Sequence, residues 1–120
     1  MYPGVDVQQS AVDSSIRYVS GGIGEPGRSS LMAMQKDFNL KLMFADTKGP
    51  YLSDVNVTIS DNKGQTLIDT VTDGPYLFAK LKPGTYRVKS TYQGTSHEQK
   101  VTVGSGGQKT ANIFFKTNEM

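Results

Sequence analysis

Gly22-Ile23-Gly24-Glu25-Pro26-Gly27 matches G-x-G-x-x-G, and Asp46 closes the next apolar run about twenty residues further on. In a dinucleotide-binding loop such glycines turn the chain tightly at a helix N-terminus. Backbone amides then approach a pyrophosphate while the acid takes a ribose hydroxyl. Two residues oppose that chemistry here. Pro26 has no amide to offer, and Glu25 sets a negative charge where the phosphate would lie. The architecture opposes it further, because a nucleotide fold repeats strand-helix-strand units and only one segment of this chain has a helical period. The glycines are therefore expected to turn the chain into a helix that packs on the remaining structure, with no cofactor bound.

Other reactive side chains are few. His97 stands alone in the polar stretch "GTSHEQK" and reads as a solvated strand or loop residue rather than a base. No arrangement of serine with a histidine and an acid supports a nucleophilic triad. Asp46, Asp54, Asp61 and Asp73 fall at strand ends, where aspartate forms turn hydrogen bonds, and no EF-hand spacing gathers them around calcium. The chain contains no cysteine, which removes disulfides and thiolate metal sites. No residue is assigned to catalysis, cofactor binding or metal. Tyr2, Tyr51, Tyr76 and Tyr92 could stack on sugars or side chains if loop-exposed, although Tyr76 and Tyr92 read better as covers of sheet faces. Met32 and Met43 read as gap-filling core or as an adaptable surface.

These residues sit in a chain of 120, enough for one domain with one core. Its 13 basic and 11 acidic residues are scattered singly, so no stripe invites nucleic acid. The apolar runs are short and interrupted, so direct membrane insertion is not expected. The polar lead-in "MYPGVDVQQSAVDSS" reads as the start of a mature exported chain, giving a periplasmic or secreted expectation.

Residues 1–14 show no period and are expected to form a flexible arm. Ile16 to Ser20 reads as a short strand. Pro26 suits a first helical turn, and Leu31, Met34 and Phe38 recur at helical spacing to give one apolar face. From Phe38 the period becomes two. Leu40, Leu42 and Phe44 alternate with Asn39, Lys41 and Met43, Val55, Val57 and Ile59 alternate with Asn56, Thr58 and Ser60, and five more runs follow to Phe115, divided by turns such as Asp61-Asn62-Lys63-Gly64. Seven strands over residues 38–116 without intervening helices predict a mainly β fold, an antiparallel Greek-key sandwich, with 117–120 as a tail.

"TVTDGPYLFAKLKPGTYRVKSTYQG", residues 70–94, resembles the carboxypeptidase regulatory-like domains, also called transthyretin-like or prealbumin-like. Thr72, Asp73, Gly74, Phe78, Leu81, Pro83, Gly84, Tyr86 and Gly94 carry the likeness. It extends loosely over Phe38 to Lys116, and the leading segment is similar to that of bacterial periplasmic proteins. The resemblance implies a prealbumin-like fold and says little of function. Hydroxyisourate hydrolases share that fold, but their several histidines and C-terminal Tyr-Arg-Gly-Ser motif have no counterpart beyond His97. Adhesin sandwiches join a first-strand lysine to a last-strand asparagine, positions held here by Lys41 and Asn112, yet both are out of phase with the core and the helper glutamate is missing.

The reading is a non-catalytic, extracytoplasmic structural or interaction module whose partner is another protein or peptide. Alternatives are a carbohydrate-binding module or a small hydrolase. Residues 15–37, an added strand, glycine turn and helix outside the resemblance, are expected to present the partner surface through Gly21, Gly22, Gly24, Glu25, Arg28, Gln35 and Lys36.

Overall fold

The computed structural model describes residues 7–117, Glu25 by its backbone alone. Nine strands are present: β1 (Gln8–Gln9), β2 (Arg17–Gly21), β3 (Leu40–Asp46), β4 (Asn56–Ser60), β5 (Thr66–Val71), β6 (Tyr76–Lys80), β7 (Gly84–Tyr92), β8 (Thr95–Val103) and β9 (Lys109–Phe115). Between β2 and β3 lie helix α1 (Gly24–Ala33) and a 3-10 turn, Gln35–Asp37. Sheet A has the order β1-β2-β6-β3-β9 and sheet B the order β5-β4-β7-β8.

The seven strands expected from alternation and from the turns between runs are β3 to β9, and the added strand is β2. The ninth, β1, falls where the sequence suggests only an arm. Two adjacent glutamines carry no periodic signal, and the strand is set by tertiary bonds. Gln8 and Gln9 pair with Tyr18 and Arg17, and the Ser10 amide donates to the Ile16 carbonyl at 2.8 Å. One ladder departs from the antiparallel expectation. β3 and β9 run parallel over seven residue pairs, from Leu40 opposite Lys109 to Asp46 opposite Phe115. Alternation alone is the same for either direction, so this pairing leaves no mark in the strands themselves.

Inward positions of both sheets form the main core. Leu40, Leu42 and Phe44 of β3 meet Val57, Ile59, Leu77, Val88, Ile113 and Phe115, all buried, as period-two strands require. Each such side chain contributes about 2 kcal/mol by leaving water. A second cluster lies outside sheet A, where Leu31, Met34 and Phe38 close over Val19 and Phe78.

The helix stops sooner than its apolar spacing suggests. α1 ends at Ala33, Met34 donates its amide to the Leu31 carbonyl, and the chain tightens into the 3-10 turn before Phe38 becomes extended. No side chain caps its N-terminus. A ten-residue helix is marginal alone, so burial of its apolar face holds it.

Two motifs of the sandwich acquire physical roles. Thr72 is fully buried, and its hydroxyl oxygen accepts the Val55 amide at 3.1 Å. The Tyr86 hydroxyl donates to the Lys82 carbonyl, bracing the Pro83-Gly84 step from which β7 starts. Gly74 is required by a close approach, since a Cβ there would lie 2.3 Å from the Gly21 carbonyl oxygen. The amide of neighbouring Asp73 donates to Ser20 Oγ at 2.9 Å. Strand β2 therefore docks directly on the Thr72-Asp73-Gly74 turn.

Candidate functional site

Strand register places the outward residues of sheet A in rows. One row reads Val19, Phe78, Lys41, Thr110 and the next reads Gly21, Tyr76, Met43, Asn112. The α1 cluster covers the region over β2 and β6. The cover thins toward β9: Gln35 of the 3-10 turn still reaches Lys41 of β3, while Thr110, Asn112 and Phe114 of β9 are open to water. Lys41 and Met43 are half-buried there, Asn112 is exposed, and Phe114 keeps 48% of its surface in contact with water.

A pair of tyrosines marks the border. Tyr51 bridges to Ala45 after β3 and leans on Tyr76, with ring centroids 5.9 Å apart, planes at 47° and hydroxyls 3.5 Å apart. The Arg28 guanidinium of α1 sits 5.7 Å from the Tyr51 ring centre, within reach of a cation–π attraction. Met32, Lys41, Met43, Tyr51, Tyr76 and Asn112 surround a shallow cavity of about 280 Å³. Burial, and next the Tyr51 hydroxyl, push the Tyr76 hydroxyl above its ordinary value, so Tyr76 keeps its proton at neutral pH. The patch thus offers an aromatic ridge, two thioethers and one arginine face. A tilted pair suits an inserted side chain better than a flat sugar ring.

The residues expected to face a partner are divided by the fold. Gly21 stands opposite Tyr76. Gly22 is buried with φ +98, and a Cβ on it would come 2.6 Å from Tyr76 Cδ2, so its role is to let that ring lie against the chain. Gly24, with φ +70, and Glu25 begin α1, and Arg28 reaches Tyr51. Gln35 and Lys36 point to the other end of the face. Gln35 Oε1 accepts from Lys41 Nζ at 2.9 Å, its carbonyl accepts from Gln108 Nε2 at 3.0 Å, and Lys36 is exposed. Phe114 and Asn112 are absent from the expected set. The sequence does carry their signal, because in "NIFF" Phe114 is out of phase with buried Ile113 and Phe115.

The remaining reactive groups are used structurally. Asp46 is 5% exposed and accepts the Lys48 amide at 2.8 Å and the Thr117 hydroxyl. These bonds, that of Thr117 first, hold its carboxyl below the ordinary value. Asp61 accepts two amides of its turn. Among the described residues no three histidine, aspartate or glutamate side chains converge as metal ligands. His97 is exposed, opposite Ser90 in the β7–β8 ladder, with its ring 4.7 Å from that of Phe115. Ser90 Oγ is buried without a hydrogen-bond partner among the described residues. Lys41 and Asn112 share the outer face, and no acid is among the described residues around the cavity they border. Tyr92 is half-buried against Phe115, and Tyr2 lies outside the described residues.

The family model of the carboxypeptidase regulatory-like domain matches residues 44–116. No curated protein matches the chain.

Proposed function

The chain belongs to the carboxypeptidase regulatory-like domain family, and from that premise we propose that it is a non-catalytic β-sandwich that binds another protein outside the cytoplasm. The observation that carries this reading is the uncovered portion of sheet A's outer face. Tyr51, Tyr76, Arg28, Met32, Met43 and Phe114 are the residue types that concentrate in protein interfaces and their hot spots. Strand β9 closes that side of sheet A with β3 as its only described neighbour, which leaves its outer edge for an added strand of the partner. His97, the single histidine of the sequence, is exposed with its ring against that of Phe115 and takes no part in this face.

Site-specific photocrosslinking in the native host tests the reading. A photoreactive residue at Asn112 is expected to give a discrete adduct with one partner, and the same residue at Lys89, on the outer face of sheet B, none. Equal labelling from both positions, or none from either, would reject it. The placement outside the cytoplasm is checked by fractionating the same cells, where recovery of the chain with cytoplasmic markers would refute it.

A further inference from the structure

At the other end of the same face, Arg17 and Lys80 stand directly opposite each other in the β2–β6 ladder, both exposed. Like charges so placed repel and weaken the ladder. Together with Lys36 they border a cleft of about 730 Å³ between the 3-10 turn, β2, β6 and the glycine-rich segment before β9. Its floor includes Met34 and Phe38, and Asp37 is the only acid among the described residues around it. The ion pairs found among the described residues are Lys82 with Asp13 and Arg87 with Glu98, so neither takes up any of these three cations.

The two neutral amide side chains of the cleft are engaged with the backbone. Asn39 donates to the Leu81 carbonyl at 2.7 Å and accepts its amide at 2.9 Å, while Gln108 Nε2 donates to the carbonyls of Gln35 and Phe38. What remains to meet a ligand is three cations against the single carboxylate of exposed Asp37, above an apolar floor. Arg17 and Lys80 also border an adjoining groove of about 500 Å³ with Gln9, Ser14 and Ser15, so the charged surface is elongated.

We propose that this cleft binds an extended acidic peptide segment of a partner protein, its carboxylates on Arg17, Lys80 and Lys36 and its apolar side chains toward Met34 and Phe38. The elongation favours a chain over a single small anion. The only aromatic ring among the described residues around the cleft, Phe38, is 5% exposed, so an acidic glycan or a nucleic acid finds no stacking platform. The site is independent of the tyrosine face, and its test uses a different readout from the crosslinking above.

The test is a fluorescence-anisotropy titration of the full chain with a short labelled peptide of alternating glutamate and leucine. Binding that weakens as salt rises is expected. The double variant Arg17→Glu/Lys80→Glu is expected to weaken it by at least about tenfold. The control Lys89→Glu/Lys100→Glu, with the same change of net charge on sheet B, is expected to stay within about twofold. Lys36→Glu, on the exposed 3-10 turn and outside the ladder, is expected to lose affinity even if the double variant does not fold. No binding by the wild type, equal loss in the control, or tighter binding of an oligogalacturonate than of the peptide would each overturn the proposal.

Discussion

Along β7 and β8 the outward side chains Thr85, Arg87, Lys89, Glu98, Lys100 and Thr102 stand in water, with Arg87 and Glu98 joined at 2.9 Å. Along β2 and β6 the central outward pair is Val19 and Phe78 beneath α1, almost without exposure, and only beyond it does the Arg17–Lys80 pair reach water. Both pairs of strands belong to one sandwich. The contrast shows that the cover is demanded by individual residues rather than by the fold. A polar outward row needs nothing over it, whereas Leu77, Phe78 and Ala79 are buried in succession, as in a strand enclosed on both faces. Residues 15–37 supply the enclosure, and their remaining edge leaves the tyrosine face open.

Four measurements can break or sharpen that contrast. Phe44→Ala removes a fully buried ring of the main core and is expected to cost about 4 kcal/mol in denaturant unfolding, with amide protection falling in both sheets together. Leu31→Ala empties a position in the cover and is expected to cost about 3 kcal/mol. Its loss of hydrogen-exchange protection should be confined to β2 and α1, and equal loss in β7 and β8 would show one cooperative unit instead of a core and its cover. Gly74→Ala drives a methyl group against the Gly21 carbonyl and is expected to cost about 2 kcal/mol. Amide spectra should report displacement of β2 while β4 and β7 keep their signals.

The smallest effect concerns acid. Asp13 is held at about 2, below its ordinary 3.8, by the Ser15 hydroxyl and amide first and then by Lys82. Because the folded value is the lower one, the stabilisation is present above 3.8 and is lost as pH falls through about 2. The melting temperatures of wild type and Asp13→Asn should differ slightly at pH 5 and converge near pH 2. A difference unchanged over that range would remove the carboxylate from the account.

Much of this is legible in the residues. Alternation and the turns between runs find every strand from β3 to β9, and the spacing of Leu31, Met34 and Phe38 finds three buried residues, although only Leu31 lies within α1. The Asp73-Gly74 turn is visible, but the reason for Gly74 is not, because the Gly21 carbonyl it accommodates lies 53 positions away. The Arg17–Lys80 pair is hidden for the same reason: each is an ordinary exposed cation until register sets them opposite. The glycines at 21 and 22 suggest a surface loop, and Gly22 instead seats a tyrosine ring, since a positive φ and a bare Cα serve packing as readily as recognition. Sequence shows local periods well. It shows close approaches between distant segments poorly, and both the docking of β2 on the Gly74 turn and the cationic cleft are of that kind.

The parallel pairing of β3 with β9 has a mechanical consequence. The chain enters this ladder at Leu40 and leaves it at Phe115, which lie at opposite ends. Tension between those two points pulls the strands along their length in opposite senses, so the hydrogen bonds are loaded in shear and must yield together. A hairpin such as β7–β8, pulled from its two open ends, would unzip rung by rung. Pulled between these two points, the domain bears load through β3 and β9. Stretching single molecules from Leu40 and Phe115 should therefore require a higher rupture force than stretching from Gly84 and Val103, and the reverse order would show that another element carries the strain.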